Sequence, residues 1–272
     1  MNKKFLAVAV ICLVALPFIY LGSAYAKNAG TDEGYLLPQE DGTYDVPNHK
    51  DWKLRVIVHR ERPVKSNATS LVCNLSDPES LATISSAGWR LPSGIWTYAL
   101  NTSTVPSSVG SANLSVIVEN AFSKWSGATG SSNKVFFAKS SSTTTKTRAS
   151  QDGKNIIAWG TTPSNALGVT YTWYYKTTGV AVEVDTIMNR RVSWSWSNPA
   201  TWTSPLATCA SSNAYDAQDI LTHELGHWMG LADMYDTANY QNATMYGYGS
   251  KAEIKKDTLS AGDVAGIQAI YP

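Results

Sequence analysis

Apolar and polar positions fall into a few regular blocks along the 272 residues. An apolar run at residues 5–21 comes first, behind Lys3 and Lys4 and ahead of Ala24-Tyr25-Ala26. Residues 27–50 are polar, with scattered Gly, Pro, Asp and Asn, and read as flexible chain. Alternation over residues 52–58 predicts one strand. Residues 134–138, 155–160, 169–175 and 180–187 are rich in β-branched and aromatic side chains and predict four more strands. The last two face each other as a hairpin turning through Thr178-Gly179. Residues 140–150 are almost all Ser and Thr and read as a solvated loop. Past Asp216 the period changes. Ile220, Leu221, Leu225, Trp228 and Met229 recur at helical spacing, with Asp216 placed as the N-cap and Asp219 three residues on, close to a capping box. Helix layered on sheet, an α+β class, is the expected architecture.

The helix carries the chemistry. Residues 223–233 read H-E-x-x-H-x-x-G-x-x-D. Residues four apart share a helix face, so His223 and His227 can hold one metal ion together. Glu224 can reach a water on that metal as a general base. Gly230 suits the left-handed turn that ends a helix, and the turn brings Asp233 back as the third ligand. Two imidazoles and a carboxylate leave one tetrahedral position open, the mark of a catalytic zinc site. Asp236 is the fallback ligand. The chain has four histidines, so a three-His site would need His49 or His59 to fold back onto this helix. The competing reading is a buried helix whose histidines only satisfy hydrogen bonds.

On these residues the chain resembles the metzincin zinc endopeptidases, closest to the matrixin-like group. Met245, in the Gly- and Tyr-rich residues 242–249, looks like the Met-turn that floors a metzincin zinc site. Residues 89–98 resemble the opening strand of a matrixin catalytic domain, residues 116–125 its first long helix, and residues 259–271 its C-terminal helix. The resemblance implies a twisted mixed β-sheet with a long N-terminal helix, an active-site helix, a Met-turn and a C-terminal helix. It also implies that the strand at residues 169–175 is the sheet edge that holds substrate antiparallel. Matrixins end the motif in His, whereas Asp233 resembles the snapalysin-type proteases. Gly262-Asp263 replaces an Asp pair, the P-R-C-G latency motif is absent, and no histidines remain for a second, structural zinc.

The remaining features set the context. Residues 1–26 read as a secretory signal peptide, residues 27–88 as an N-terminal extension or propeptide, and residues 89–272 as the catalytic domain. A secreted chain without stable membrane association after cleavage is expected. Cys73 and Cys209, the pair left after the signal, are expected to form a disulfide. The alternative makes Cys73 a latency thiolate on zinc. With 22 basic and 21 acidic residues, charge makes no case for nucleic acid as a partner. One catalytic Zn2+, a protein or peptide substrate and a monomer are expected, and no calcium loop is visible in the sequence. Trp194, Trp196 and Trp202 form either a binding surface or core packing. Two other functions remain open: a catalytically silent binding module, and a zinc hydrolase of non-protein substrates.

Overall fold

Alternating inward positions build a sheet with a core on each face. The computed structural model describes residues 36–63, 80–198 and 210–272. The expected signal peptide, the expected disulfide between Cys73 and Cys209, and Trp202 all lie outside the described residues.

The strands are β1 (Gly42–Val46), β2 (His49–Glu61), β3 (Gly94–Leu100), β4 (Val135–Lys139), β5 (Ile156–Gly160), β6 (Ala166–Tyr175), β7 (Ala181–Asn189), β8 (Trp194–Ser195), β9 (Tyr215–Asp216) and β10 (Tyr248–Gly249). Among the described residues four α-helices accompany them: α1 (Leu114–Ala128), α2 (Ala217–Trp228), the single turn α3 (Thr237–Tyr240) and α4 (Ala261–Ile270). The main sheet runs β1-β2-β6-β7-β5-β3-β4, with β10 pairing to the end of β2. From β7 through β4 the pairs are parallel, while β1–β2, β2–β6 and β6–β7 are antiparallel.

Period-2 alternation sorts the side chains of β2 and β6. Leu54, Val56 and Val58 join Val169, Tyr171 and Trp173 in a core on one face. On the other face Ile57 joins α1, α2 and α4 around Trp89, Trp125 and Trp228. Trp125 on α1 donates from Nε1 to the Thr222 carbonyl at 2.8 Å, locking α1 to α2.

Two expectations are corrected. Residues 42–46 are not flexible chain: Tyr44 and Val46 supply enough apolar surface for β1 to pair with β2, through a turn at Asn48 with φ 65°. Nor is β6 a sheet edge. β2 is 13 residues long and pairs with β6 from Trp52↔Tyr175 to Arg60↔Ala166. The strand read at residues 52–58 extends because its polar ends, too, find backbone partners in neighbouring strands. Trp194 is buried and donates to the Asn189 carbonyl, while Trp196 donates to Gln218 Oε1. Both serve packing.

Candidate metal centre and active site

Asp216 starts α2 as read from the sequence, its Oδ1 accepting from the Gln218 and Asp219 amides at 2.9 and 3.1 Å. Asp219 does not complete a capping box; its Oδ1 instead accepts from the Lys256 amide at 2.7 Å. Every residue of α2 is buried, so its polar groups must find partners inside the protein.

The helix ends at Gly230, whose φ is +86°. A Cβ there would also overlap the Trp89 carbonyl. Beyond the turn the chain runs against residues 84–87: the Ala87 amide donates to the Gly230 carbonyl at 2.7 Å and the Ala232 amide to the Ser85 carbonyl at 2.9 Å. Trp89 Nε1 donates to the His227 carbonyl, and Tyr271 Oη to the Met229 carbonyl. These contacts return Asp233 over the helix.

Asp233 Oδ1 lies 3.0 Å from His223 Nε2 and 3.4 Å from His227 Nε2, and the two nitrogens are 3.2 Å apart. His223 Nδ1 sits 2.7 Å from the Thr244 carbonyl and His227 Nδ1 2.8 Å from the Leu231 carbonyl. A carbonyl only accepts, so each Nδ1 carries the hydrogen and each neutral ring turns an Nε2 lone pair inward. Two lone pairs and a carboxylate oxygen without a hydrogen-bond partner then converge on one point. A metal ion or a proton relieves that crowding, and these three residues form a set whose ligand atoms can hold one metal ion. Burial pulls His223 down to about 4, keeping it neutral. Burial opposes the charge of Asp233 as well, yet the His227 and His223 rings hold it well below the usual carboxylate range. On His227 burial also favours the neutral ring, but Asp233 outweighs it and raises the pKa, so a proton competes with a metal at this ring.

Glu224 is fully buried, and burial pushes its carboxyl up to about 7. Its Oε2 accepts from Thr170 Oγ1 at 2.6 Å. Thr170 shares a 2.7 Å hydrogen bond with Thr186, and Trp228 Nε1 donates to Thr186 at 2.8 Å. The chain of donors therefore runs Trp228, Thr186, Thr170, Glu224. Oε1 has no hydrogen-bond partner. Gly168 leaves the room that Glu224 needs, since a Cβ there would overlap Oε1.

Met245 is buried under α2, where a Cβ on Gly226 would strike its sulfur. Asp263 holds this turn: its carboxylate accepts from the Thr244 and Met245 amides at 2.9 and 3.1 Å while closing the Ser260 capping box of α4. Lys256 Nζ donates to the Thr244 and Tyr246 carbonyls. Asp236 is exposed and caps α3 through the Ala238 amide, so the fallback ligand stands away from the cluster.

Several contributors escaped sequence reasoning. Tyr235 Oη donates to Asp233 Oδ2 at 3.0 Å, and Thr170, Asp263 and Lys256 act as described. Thr170 and Thr186 are directly opposed in the β6–β7 register, a polar pair in an apolar hairpin that offered a signal. His59 entered the sequence reading only as a conditional third imidazole. It does fold back onto the helix, its ring stacked 3.7 Å from that of His223 and its Nδ1 3.6 Å from Glu224 Oε1.

A comparison with protein-family models matches the matrixin model over residues 89–272. No curated protein matches the chain. The mixed sheet, the α2 helix with its glycine turn and the methionine turn all have residues inside the matched span, and the chain belongs to the matrixin family, whose members are zinc-dependent peptidases.

Proposed function

We propose that the chain is a secreted zinc endopeptidase in which His223, His227 and Asp233 hold the metal and Glu224 is the general base. The observation that carries this reading is the convergence of two imidazole lone pairs and a carboxylate oxygen beside the unpartnered Oε1 of Glu224. A zinc ion held there would supply Lewis-acid polarisation of the scissile carbonyl and acidify a water. Glu224 takes the proton of the attacking water on Oε1 and returns it to the leaving amine, while Thr170 fixes Oε2. Thr244 and Leu231 fix the imidazole tautomers, and Tyr235 fixes the Asp233 carboxylate.

Export is supported by Lys3, Lys4, the apolar run at residues 5–21 and the Ala24-Tyr25-Ala26 site. Among the described residues no helix is long and apolar enough to cross a membrane.

The test measures zinc content and casein hydrolysis of the secreted protein beside Glu224→Ala. One zinc in both forms, with hydrolysis lost by at least about a hundredfold in the variant, supports the assignment. Zinc without hydrolysis in either form favours latency or a binding module. No zinc in either form defeats it.

A further inference from the structure

Glu224, His223 and His227 have no solvent-accessible surface, which is incompatible with a peptide reaching them. His223 and Glu224 lie against His59 of β2, a strand outside the residues matched to the matrixin family. β2 runs in a slot, antiparallel to β6 on one side and parallel to β10 on the other, with Tyr248↔Arg60 and Gly249↔Glu61. The Arg62 amide continues this pairing, donating to the Gly249 carbonyl at 2.8 Å. With β2 removed, β6 would present an open row of backbone donors and acceptors, the surface to which an extended peptide adds as a strand.

Near the end of β2, opposite Gly168 and just before the residues that pair with β10, the strand places His59. The ring is completely buried and neither nitrogen has a hydrogen-bond partner. Leaving a buried imidazole unpaired is costly, so its position calls for a partner that the protein's own atoms do not supply. One of its nitrogens forms a second possible metal-ligating set with His223 and Glu224. Nδ1 approaches Glu224 Oε1, the oxygen assigned to receive the proton of the attacking water.

We propose that β2 is an internal blocking strand: it fills the slot where an extended peptide substrate would pair with β6, and His59 occupies the place of the attacking water beside Glu224. This rests on the peptidase reading above. It also accounts for an extended peptide lying across the site uncleaved, because no water can stand between Glu224 and the β2 backbone while His59 is there. The mature enzyme then requires β2 to be cut away or displaced. Cys73, the sequence-based candidate for a latency group, is not needed for this block.

The test uses the full-length chain with a site-specific protease recognition sequence in place of residues 66–72. Two quantities are read: retention of the N-terminal fragment on gel filtration after the nick, and hydrolysis of an internally quenched peptide. The fragment is expected to co-elute after nicking, and the chain to hydrolyse at least about 20-fold faster once the fragment is diluted away, as a tethered competitor at millimolar effective concentration implies. In the His59→Ala chain the fragment should dissociate at about tenfold lower dilution, and the intact chain should gain at least about fivefold in rate. Full activity of the intact wild-type chain, unchanged by the nick, overturns the proposal and leaves the peptidase reading standing. Retention that weakens in His59→Ala, with no hydrolysis in any form, keeps the blocking strand and defeats the peptidase reading. If circular dichroism shows that the remainder unfolds on losing the fragment, the intact chains decide: a gain in His59→Ala supports the block and no gain overturns it.

Discussion

Thr170 illustrates how much a single hydroxyl controls here. Its hydrogen bond to Glu224 Oε2 holds the proposed base at the end of a donor chain that begins at Trp228. Thr170→Val keeps the shape but leaves a buried carboxylate oxygen unsatisfied, at a cost of about 1–3 kcal/mol. The variant is expected to lose roughly tenfold or more in kcat with a smaller change in KM, because ground-state binding does not use this contact. Thr170→Ser should recover most of the rate, and steady-state kinetics with a quenched peptide on chain freed of its N-terminal strand checks both. Gly230 is the other residue with no substitute. At φ +86° a Cβ is strained, and it would also meet the Trp89 carbonyl. Gly230→Ala should destabilise by about 2 kcal/mol or more by urea unfolding, and zinc affinity should fall with it as Asp233 is displaced.

At the scale of elements, β7 shows a different use of buried acids. Glu183 accepts from the Asp152 and Gly153 amides, and Asp185 from the Ser150 and Ile156 amides, so the two carboxylates clamp the loop that precedes β5. Burial pushes Glu183 up to about 7 and holds Asp185 well above the usual carboxylate range. Between the ordinary carboxylate range and about pH 7 the folded state therefore binds more protons than the unfolded chain. Stability falls as pH rises through that window. Urea unfolding at pH 5 and pH 8 measures the slope, and Glu183→Gln should flatten it. The Ser- and Thr-rich residues before β5, read as a solvated loop, are thus anchored at their end by acids from a strand that follows them in the chain. No local pattern announces such a clamp.

For the whole molecule, the proposed metal site joins α2, the turn after it and the Met245 turn, three segments tied together by Asp263, Lys256 and Trp89. A bound zinc should therefore stabilise the entire fold. At a thousand times its Kd the gain is about 4 kcal/mol, so chelation should lower Tm by roughly 8–16 °C for a domain of this size. Differential scanning fluorimetry with and without EDTA checks this, and a shift below about 2 °C would place zinc outside His223, His227 and Asp233.

What the sequence determined by itself was the local chemistry. The i, i+4 histidines, the Asp216 cap, the glycine turn and the alternating hairpin all depend on residues within a turn or two of each other. Backbone geometry alone brings such residues together. The matrixin resemblance extended this reading to Met245 and to the flanking helices, and the family match covers the same residues. Tertiary structure decided the rest. Thr170 reaches Glu224 only through the register of β6 over α2, and Asp263 reaches the Met245 turn only because α4 docks against it. His59 reaches the site because β2 pairs with β6 in one register and not its neighbour. A slip of one residue would turn the imidazole to the opposite face of the sheet. Side-chain periodicity announces a strand but not its partner, and in this protein the partner determines what the active site meets.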